Sequence, residues 1–202
     1  GTIARLAREG CRVHVLTVTR SGPPLCDEAA VVQVRAEASN AHRVLGVEAA
    51  HWLEFPAARL DTVPQHVLND RMRAKVREIG PDELFVPFVG DLHRDHQLVF
   101  AAAMVAARPD GDRAPRGIFA YETLSETNWN APYASPSFEP TRYVDIGAEL
   151  ETKLRALACF VSQLREFPHE RSVVAARALA TIRGATVGVA AAEAFVTVRT
   201  VV

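Results

Sequence analysis

Apolar positions along this chain switch between a helical spacing and short extended runs, and the switches mark its elements. Ile3, Leu6 and Ala7 fall at helical spacing, so Thr2–Glu9 is predicted as a helix stopped by Gly10. Arg12–Thr19 (RVHVLTVT) alternates and is rich in Val, the pattern of a strand. After a loop at Arg20–Pro24, Glu28–Leu45 reads as a helix closed by Gly46, and His51–Phe55 as a short strand. The connection Pro56–Val63 leads into a helix over Pro64–Ile79, which Gly80-Pro81 ends. Leu84–Val89 is then an unbroken apolar run of the length of a buried parallel strand. Gly90 and Asp91 interrupt it, a polar knot His93-Arg94-Asp95-His96 follows, and Leu98, Val99, Ala102, Met104, Val105 and Ala106 form a helix dense enough to be buried. Strand and helix thus alternate three times, the signature of a parallel sheet with helices on both faces.

The second half follows the same grammar with one exception. Pro109–Arg116 is a polar loop, Gly117–Leu124 a strand, Tyr143–Ile146 a short strand and Gly147–Gln163 an amphipathic helix. Phe167-Pro168-His169 breaks the chain before a helix over Arg171–Arg183, and Gly184–Gly188 turns it into a strand at Val189–Phe195 with a Val-rich tail. The exception is Ser125–Thr141, rich in Asn, Pro, Ser and aromatics, which is too long for a neutral connector and reads as a binding wall or lid. No G-x-G-x-x-G, P-loop or G-x-S-x-G elbow follows any strand.

Composition narrows the class. With 202 residues, 49% apolar and 23% charged, the chain is that of one ordinary globular domain. A net charge of −1 gives no electrostatic case for nucleic acid or an anionic membrane. No apolar run approaches the roughly 20 residues that span a bilayer. Cys11, Cys26 and Cys159 are widely spaced and form no C-x-x-C pair, which points to reduced thiols and a cytoplasmic protein. The first residues lack the pattern of a signal peptide. A helix that opens the chain without a strand before it leads us to expect that a first structural unit lies upstream of Gly1.

The knot can be read in two ways. Two histidines and an aspartate within four residues can be a decorated turn or helix cap. They can also supply a metal ligand, a proton donor and an orienting acid. An apolar strand aimed at the knot, Asp91 just before it and an apolar helix behind it favour a site, because open α/β sheets bind ligands where strand gives way to helix.

The segments GTIARLAREGCRVHVLTVT, VGDLHRDHQLV, AYETLSETNW and RGATVGVAAAEAFV, in that order, resemble the PIG-L/LmbE-like family of zinc-dependent N-deacetylases. The resemblance implies an α/β, Rossmann-like three-layer sandwich with a mostly parallel sheet. It also implies hydrolysis of the N-acetyl group of an N-acetylglucosamine-type sugar conjugate, with Zn2+ or another divalent metal as cofactor. In the family a His-Pro-Asp-Asp-Glu segment precedes the first helix and supplies the other metal ligands; this chain starts after the matching point. By position, His96 is implied as a metal ligand and His93 as the histidine beside the substrate carbonyl, stabilising the oxyanion and protonating the leaving amine. Asp95 is implied as the acid holding an imidazole in its working tautomer. Tyr121, Glu122, Asn128 and Trp129 match a segment bordering the sugar, with core or lid packing as the alternative for the two aromatics. Glu193 is expected to be structural and Arg35 a solvated helix residue. His14, His42, His51, His66 and His169 are expected at the surface or in packing. Ala57-Ala58 departs from an Asp-Asn pair of one subgroup, so that subgroup's substrate is not carried over. The alternative is a non-catalytic sugar-binding member without a complete metal site. The expected partner is a small N-acetylated sugar conjugate, with self-association left open.

Overall fold

The computed structural model describes residues 1–110 and 114–202, so residues 111–113 of the polar stretch Pro109–Arg116 lie outside the described residues. The chain forms α1 (Thr2–Arg8), β1 (His14–Arg20), α2 (Glu28–Leu45), β2 (Ala49–Pro56), α3 (Gln65–Ile79), β3 (Glu83–Pro87) and α4 (Arg94–Ala106). It continues with β4 (Gly117–Tyr121), β5 (Arg142–Asp145), α5 (Leu150–Ala158), α6 (Val173–Val187) and β6 (Ala192–Thr200). This is the α/β class. β1 and β2 form a two-stranded sheet, and a four-stranded sheet runs in the order β3-β4-β6-β5. β3 and β4 are parallel, with Phe85 opposite Phe119, whereas β4 and β6 are antiparallel, with Tyr121 opposite Phe195. Among the described residues no helix is long and apolar enough to cross a membrane.

By its internal packing the chain divides into two compact units. One comprises Gly1–Glu54 and Tyr143–Glu193, the other Phe55–Arg142 and Ala194–Val202. Each unit is discontinuous in sequence, which hides the division from any reading in chain order.

In the first unit, α2 packs on α1 and α5, and α5 on α6. Asp27 caps α2 by accepting from the Ala30 amide at 2.8 Å, and Gly46 ends it in the left-handed region at φ 76°. α5 stops at Ala158, short of the predicted Gln163, and the cause is a buried acid. Glu37, 7% exposed on α2, accepts from the Ser162 amide at 3.0 Å and its hydroxyl at 2.6 Å, drawing the chain out of helical register. α6 instead runs past the predicted Arg183 to Val187. A Cβ on Gly184 would lie 2.6 Å from the Val189 carbonyl oxygen and 2.7 Å from Ala191 Cα, so this glycine serves close packing inside the helix. Glu193 lies on β6, where it accepts from the Thr2 amide at 2.6 Å and pairs with Lys153 at 2.6 Å.

In the second unit α3 packs on α4 and α4 on β3. Leu60, Leu68, Met72, Val86, Ala102 and Ile118 are each 4% exposed or less. The alanines of α4 let helix and sheet approach closely, and β3 delivers its C-terminal end to the polar knot. The strand predicted to end at Phe195 continues through the Val-rich tail, because Val196–Thr200 completes the ladder with β4.

Burial works against the Glu193 carboxylate. The charge of Lys153, with the Lys153 and Thr2 hydrogen bonds, holds the group well below the usual carboxylate range nonetheless. A depressed folded-state value contributes stability that is present above the ordinary value of 4.5 and lost on acidification toward the folded value. Glu193→Gln should therefore lower stability near neutral pH by about 2 kcal/mol, with the gap to the parent closing as pH falls below 4, measured by urea unfolding across pH. A gap that is independent of pH would contradict this account.

Candidate active site

β3 ends at Pro87, and a turn closed by the Asp91 amide on the Phe88 carbonyl (3.2 Å) brings the chain to the knot. Asp91 is fully buried, and a buried carboxylate needs donors. Its Oδ2 lies 2.8 Å from His96 Nδ1, and its Oδ1 accepts from the Thr127 hydroxyl at 2.5 Å. Its backbone carbonyl takes the Gln97 side-chain amide at 2.8 Å. A carboxylate facing Nδ1 assigns the neutral ring's proton to that nitrogen and leaves the Nε2 lone pair free.

His93 is the cap of α4: its Nδ1 accepts from the Asp95 amide at 3.1 Å. That nitrogen is an acceptor, so the neutral ring carries its proton on Nε2. The two imidazoles stack, with centroids 5.1 Å apart and planes 18° from parallel. Neighbouring histidines therefore hold opposite tautomers: His93 offers a donor where His96 offers a lone pair.

Asp95 does not have the place expected of it. Its carboxylate, 5% exposed, accepts from the Ala58 amide at 2.6 Å and the Leu60 amide at 3.2 Å. The imidazole-orienting acid is Asp91. The reason is helical geometry: from the first turn of α4 the Asp95 side chain reaches back to the 58–60 segment. There it holds Ala58 at φ 56°, a left-handed conformation costing a non-glycine residue about 1–3 kcal/mol. Asp95 does touch the site, through its backbone amide on His93.

The expected sugar-facing residues lie along one strap. Tyr121 ends β4 and is 37% exposed; desolvation first, and then the charge of Asp91, push its phenol up to about 12. Solvent at its open edge softens the shift, but both causes act in the same direction. Glu122 is half-buried. Asn128 accepts from the Ser125 amide at 3.0 Å, with Ser125 at φ 75°, and Trp129 is 65% exposed. Asn128 and Trp129 share the 3-10 turn Thr127–Trp129 with the residue that bonds Asp91. Further along, the Glu126 carbonyl accepts from the Leu92 amide at 3.2 Å, and the Asn130 side-chain amide donates to the Gly90 carbonyl. So the long loop is fastened to Gly90, Asp91 and Leu92 in turn. In sequence Gly90 reads only as a break after the apolar run, and Thr127 carries no signal. Asp91 was visible beside the knot, but nothing in one dimension pairs it with the residue five positions on.

As to a metal, His96 fits one ligand position, an imidazole with a free Nε2 and an acid on its other nitrogen. Among the described residues, no group of three or more His, Cys, Asp or Glu is gathered to hold an ion. A catalytic zinc site keeps three protein ligands, so these residues supply part of a set.

Fold and site thus define an α/β protein with a histidine pair where a parallel strand meets a helix. A family model, PIG-L: GlcNAc-PI de-N-acetylase, matches residues 1–107, a span holding both histidines, Asp91 and Asp95. The chain belongs to the PIG-L family. Tyr121, Glu122, Asn128 and Trp129 lie beyond the matched span. No curated protein matches the chain. Among solved structures it is similar to the conserved protein TT1542 from Thermus thermophilus. They are 25% identical over 100% of this chain and 88% of that one, with TM-score 0.79. It is similar also to N,N'-diacetylchitobiose deacetylase from Pyrococcus horikoshii (21% identity, 97% of this chain and 76% of that one, TM-score 0.75). A third is GalB, the 4-carboxy-2-hydroxymuconate hydratase from Pseudomonas putida KT2440 (18% identity, 100% and 90%, TM-score 0.78). The last two likenesses are of fold, and a deacetylase and a hydratase share it, so fold by itself does not choose the reaction.

Gly90 is where strap and knot touch most closely. A Cβ there would lie 2.6 Å from the Pro136 carbonyl oxygen and closer still to Phe88 Cε1. Gly90→Ala is expected to cost about 1–3 kcal/mol by overpacking and to speed amide exchange between residues 126 and 136. Unchanged stability and exchange would show that the strap is not held there.

Proposed function

We propose that this chain acts as a PIG-L-type hydrolase, removing the N-acetyl group from an N-acetylglucosamine-type sugar conjugate with zinc or another divalent metal as cofactor. The family model and a deacetylase among the similar structures support the substrate class. The observation that carries the reading is the pair of stacked imidazoles, one against the Asp91 carboxylate and the other accepting from the Asp95 amide.

His96 would hold the ion through Nε2, while Asp91 keeps the ring's proton on Nδ1 and its plane fixed. When bound, such an ion polarises an amide carbonyl and lowers the pKa of a bound water. His93 presents Nε2–H, a donor suited to an acetyl oxygen that gains negative charge on attack. Delivering a proton to the departing amine needs a doubly protonated ring, and a proton on Nδ1 displaces the Asp95 amide. The geometry therefore supports the oxyanion role of His93 first. Tyr121, Glu122, Asn128 and Trp129 would form the sugar wall, the exposed indole suited to a pyranose face. Cys11, Cys26 and Cys159 are free thiols, which supports a cytoplasmic setting. The alternative, a sugar-binding member without catalysis, draws on the incomplete ligand set among the described residues.

With a single ligand position filled by His96, the 202-residue chain should retain zinc weakly, and metal analysis after dialysis should find it well below one equivalent. Stoichiometric zinc would refute that expectation. In a chain that carries the complete ligand set, with divalent metal added, His96→Ala should lose metal and acetate release together. His93→Ala should keep its metal affinity while kcat falls roughly 10²–10³-fold, without rescue by more metal. Parallel loss of metal in His93→Ala would overturn this division of labour. Sugar binding with no acetate release under any condition would favour the alternative.

A further inference from the structure

The Thr127 hydroxyl has one proton and two neighbours. It accepts from the Thr123 amide at 2.8 Å, which occupies a lone pair and leaves the proton for Asp91 Oδ1 at 2.5 Å. Asp91 is 0% exposed, so solvent does not reach its carboxylate. Of its two oxygens, one faces Thr127 and the other His96 Nδ1. A carboxylate held only by the imidazole could turn about its last torsion and present either oxygen at a range of angles. With Oδ1 fixed by the hydroxyl, Oδ2 alone meets the ring. We propose that Thr127 is a positioning residue: its hydroxyl, aimed by the Thr123 amide, locks Asp91 so that His96 keeps its proton on Nδ1 and its Nε2 lone pair free.

The same residue opens the 3-10 turn that carries Asn128 and Trp129. The chain of hydrogen bonds thus runs from the Thr123 amide to the Thr127 hydroxyl and on to Asp91, which also accepts from the imidazole, and it ties the orientation of the ring to the segment read as the sugar wall. Nothing in the sequence marks Thr127, one of several hydroxyl residues in a polar loop. In its effect on catalysis the inference rests on His96 acting through Nε2, as proposed above; the tautomer itself does not depend on that reading.

The test reads the tautomer directly in the metal-free chain, with 15N-labelled histidine at about pH 8, where an ordinary imidazole is neutral. Long-range proton–nitrogen correlations should report a single Nδ1–H form for His96 in the parent and in Thr127→Ser. Thr127→Val should give a mixture of forms, with the two ring-nitrogen shifts drawn toward each other. A single Nδ1–H form in Thr127→Val, or an Nε2–H form in the parent, would overturn the proposal. Should Thr127→Val fail to fold, the parent still decides. A Thr127 hydroxyl proton slow enough in exchange to be observed supports the lock, and one exchanging freely with water refutes it. In acetate release, Thr127→Val should lower kcat roughly 10–100-fold with KM little changed, and Thr127→Ser should restore it. If no variant releases acetate in a chain that carries the complete ligand set, the function proposed above has failed, and the tautomer measurement still stands for or against Thr127.

Discussion

A carboxylate taken out of water must be given hydrogen bonds or lose its charge, and the site is built around that demand at Asp91. Its partners come from different segments: the first turn of α4 brings His96, and the 3-10 turn after β4 brings Thr127. Satisfying one side chain therefore fixes the distance between a helix and a loop far apart in sequence. It also sets which imidazole nitrogen is free. The order of the knot, the place of the strap and the polarity of the ring are consequences of the same desolvated acid.

Other acids of the chain act the same way. Asp95 holds the 58–60 segment through two backbone amides, Glu37 draws Ser162 inward, and Glu193 joins Thr2 to Lys153. Glu149, 5% exposed, takes the Arg8 guanidinium at 2.6 Å. In each case the acid is satisfied by donors distant in sequence, so the penalty of leaving it unpaired enforces a tertiary contact. These acids give the fold its register at places where an apolar core, being non-directional, would tolerate sliding.

The chemistry follows from direction rather than composition. Two histidines on one helical turn would be interchangeable if both were solvated. Here one faces a buried carboxylate and the other caps a helix, so one ring is a lone-pair donor and the other a hydrogen-bond donor. Membership of the PIG-L family agrees with an amide hydrolase. The hydratase among the similar structures shows why the side-chain geometry, and not the architecture, has to carry the functional argument.

Periodicity by itself determined the order of strands and helices, because amphipathic spacing is a local property of the chain. It gave α2 its bounds of Glu28 and Leu45, since both ends carry their own cap. It located the knot, since an apolar strand running into polar residues is also local. It failed where a distant partner decides. α5 ends early because Glu37 binds Ser162, and α6 runs on because Gly184 packs beneath Val189 and Ala191. The last residues become strand because β4 offers them a ladder. The acid that orients His96 was misassigned for the same reason: Asp95 is adjacent in sequence, but its helical position turns it toward Ala58 and Leu60. Residue types and spacing determined that two imidazoles and an acid would meet at the end of a strand. Only the tertiary structure decided which acid, which nitrogen and which loop, because a hydrogen bond is fixed by direction and burial, and neither is written in the order of residues.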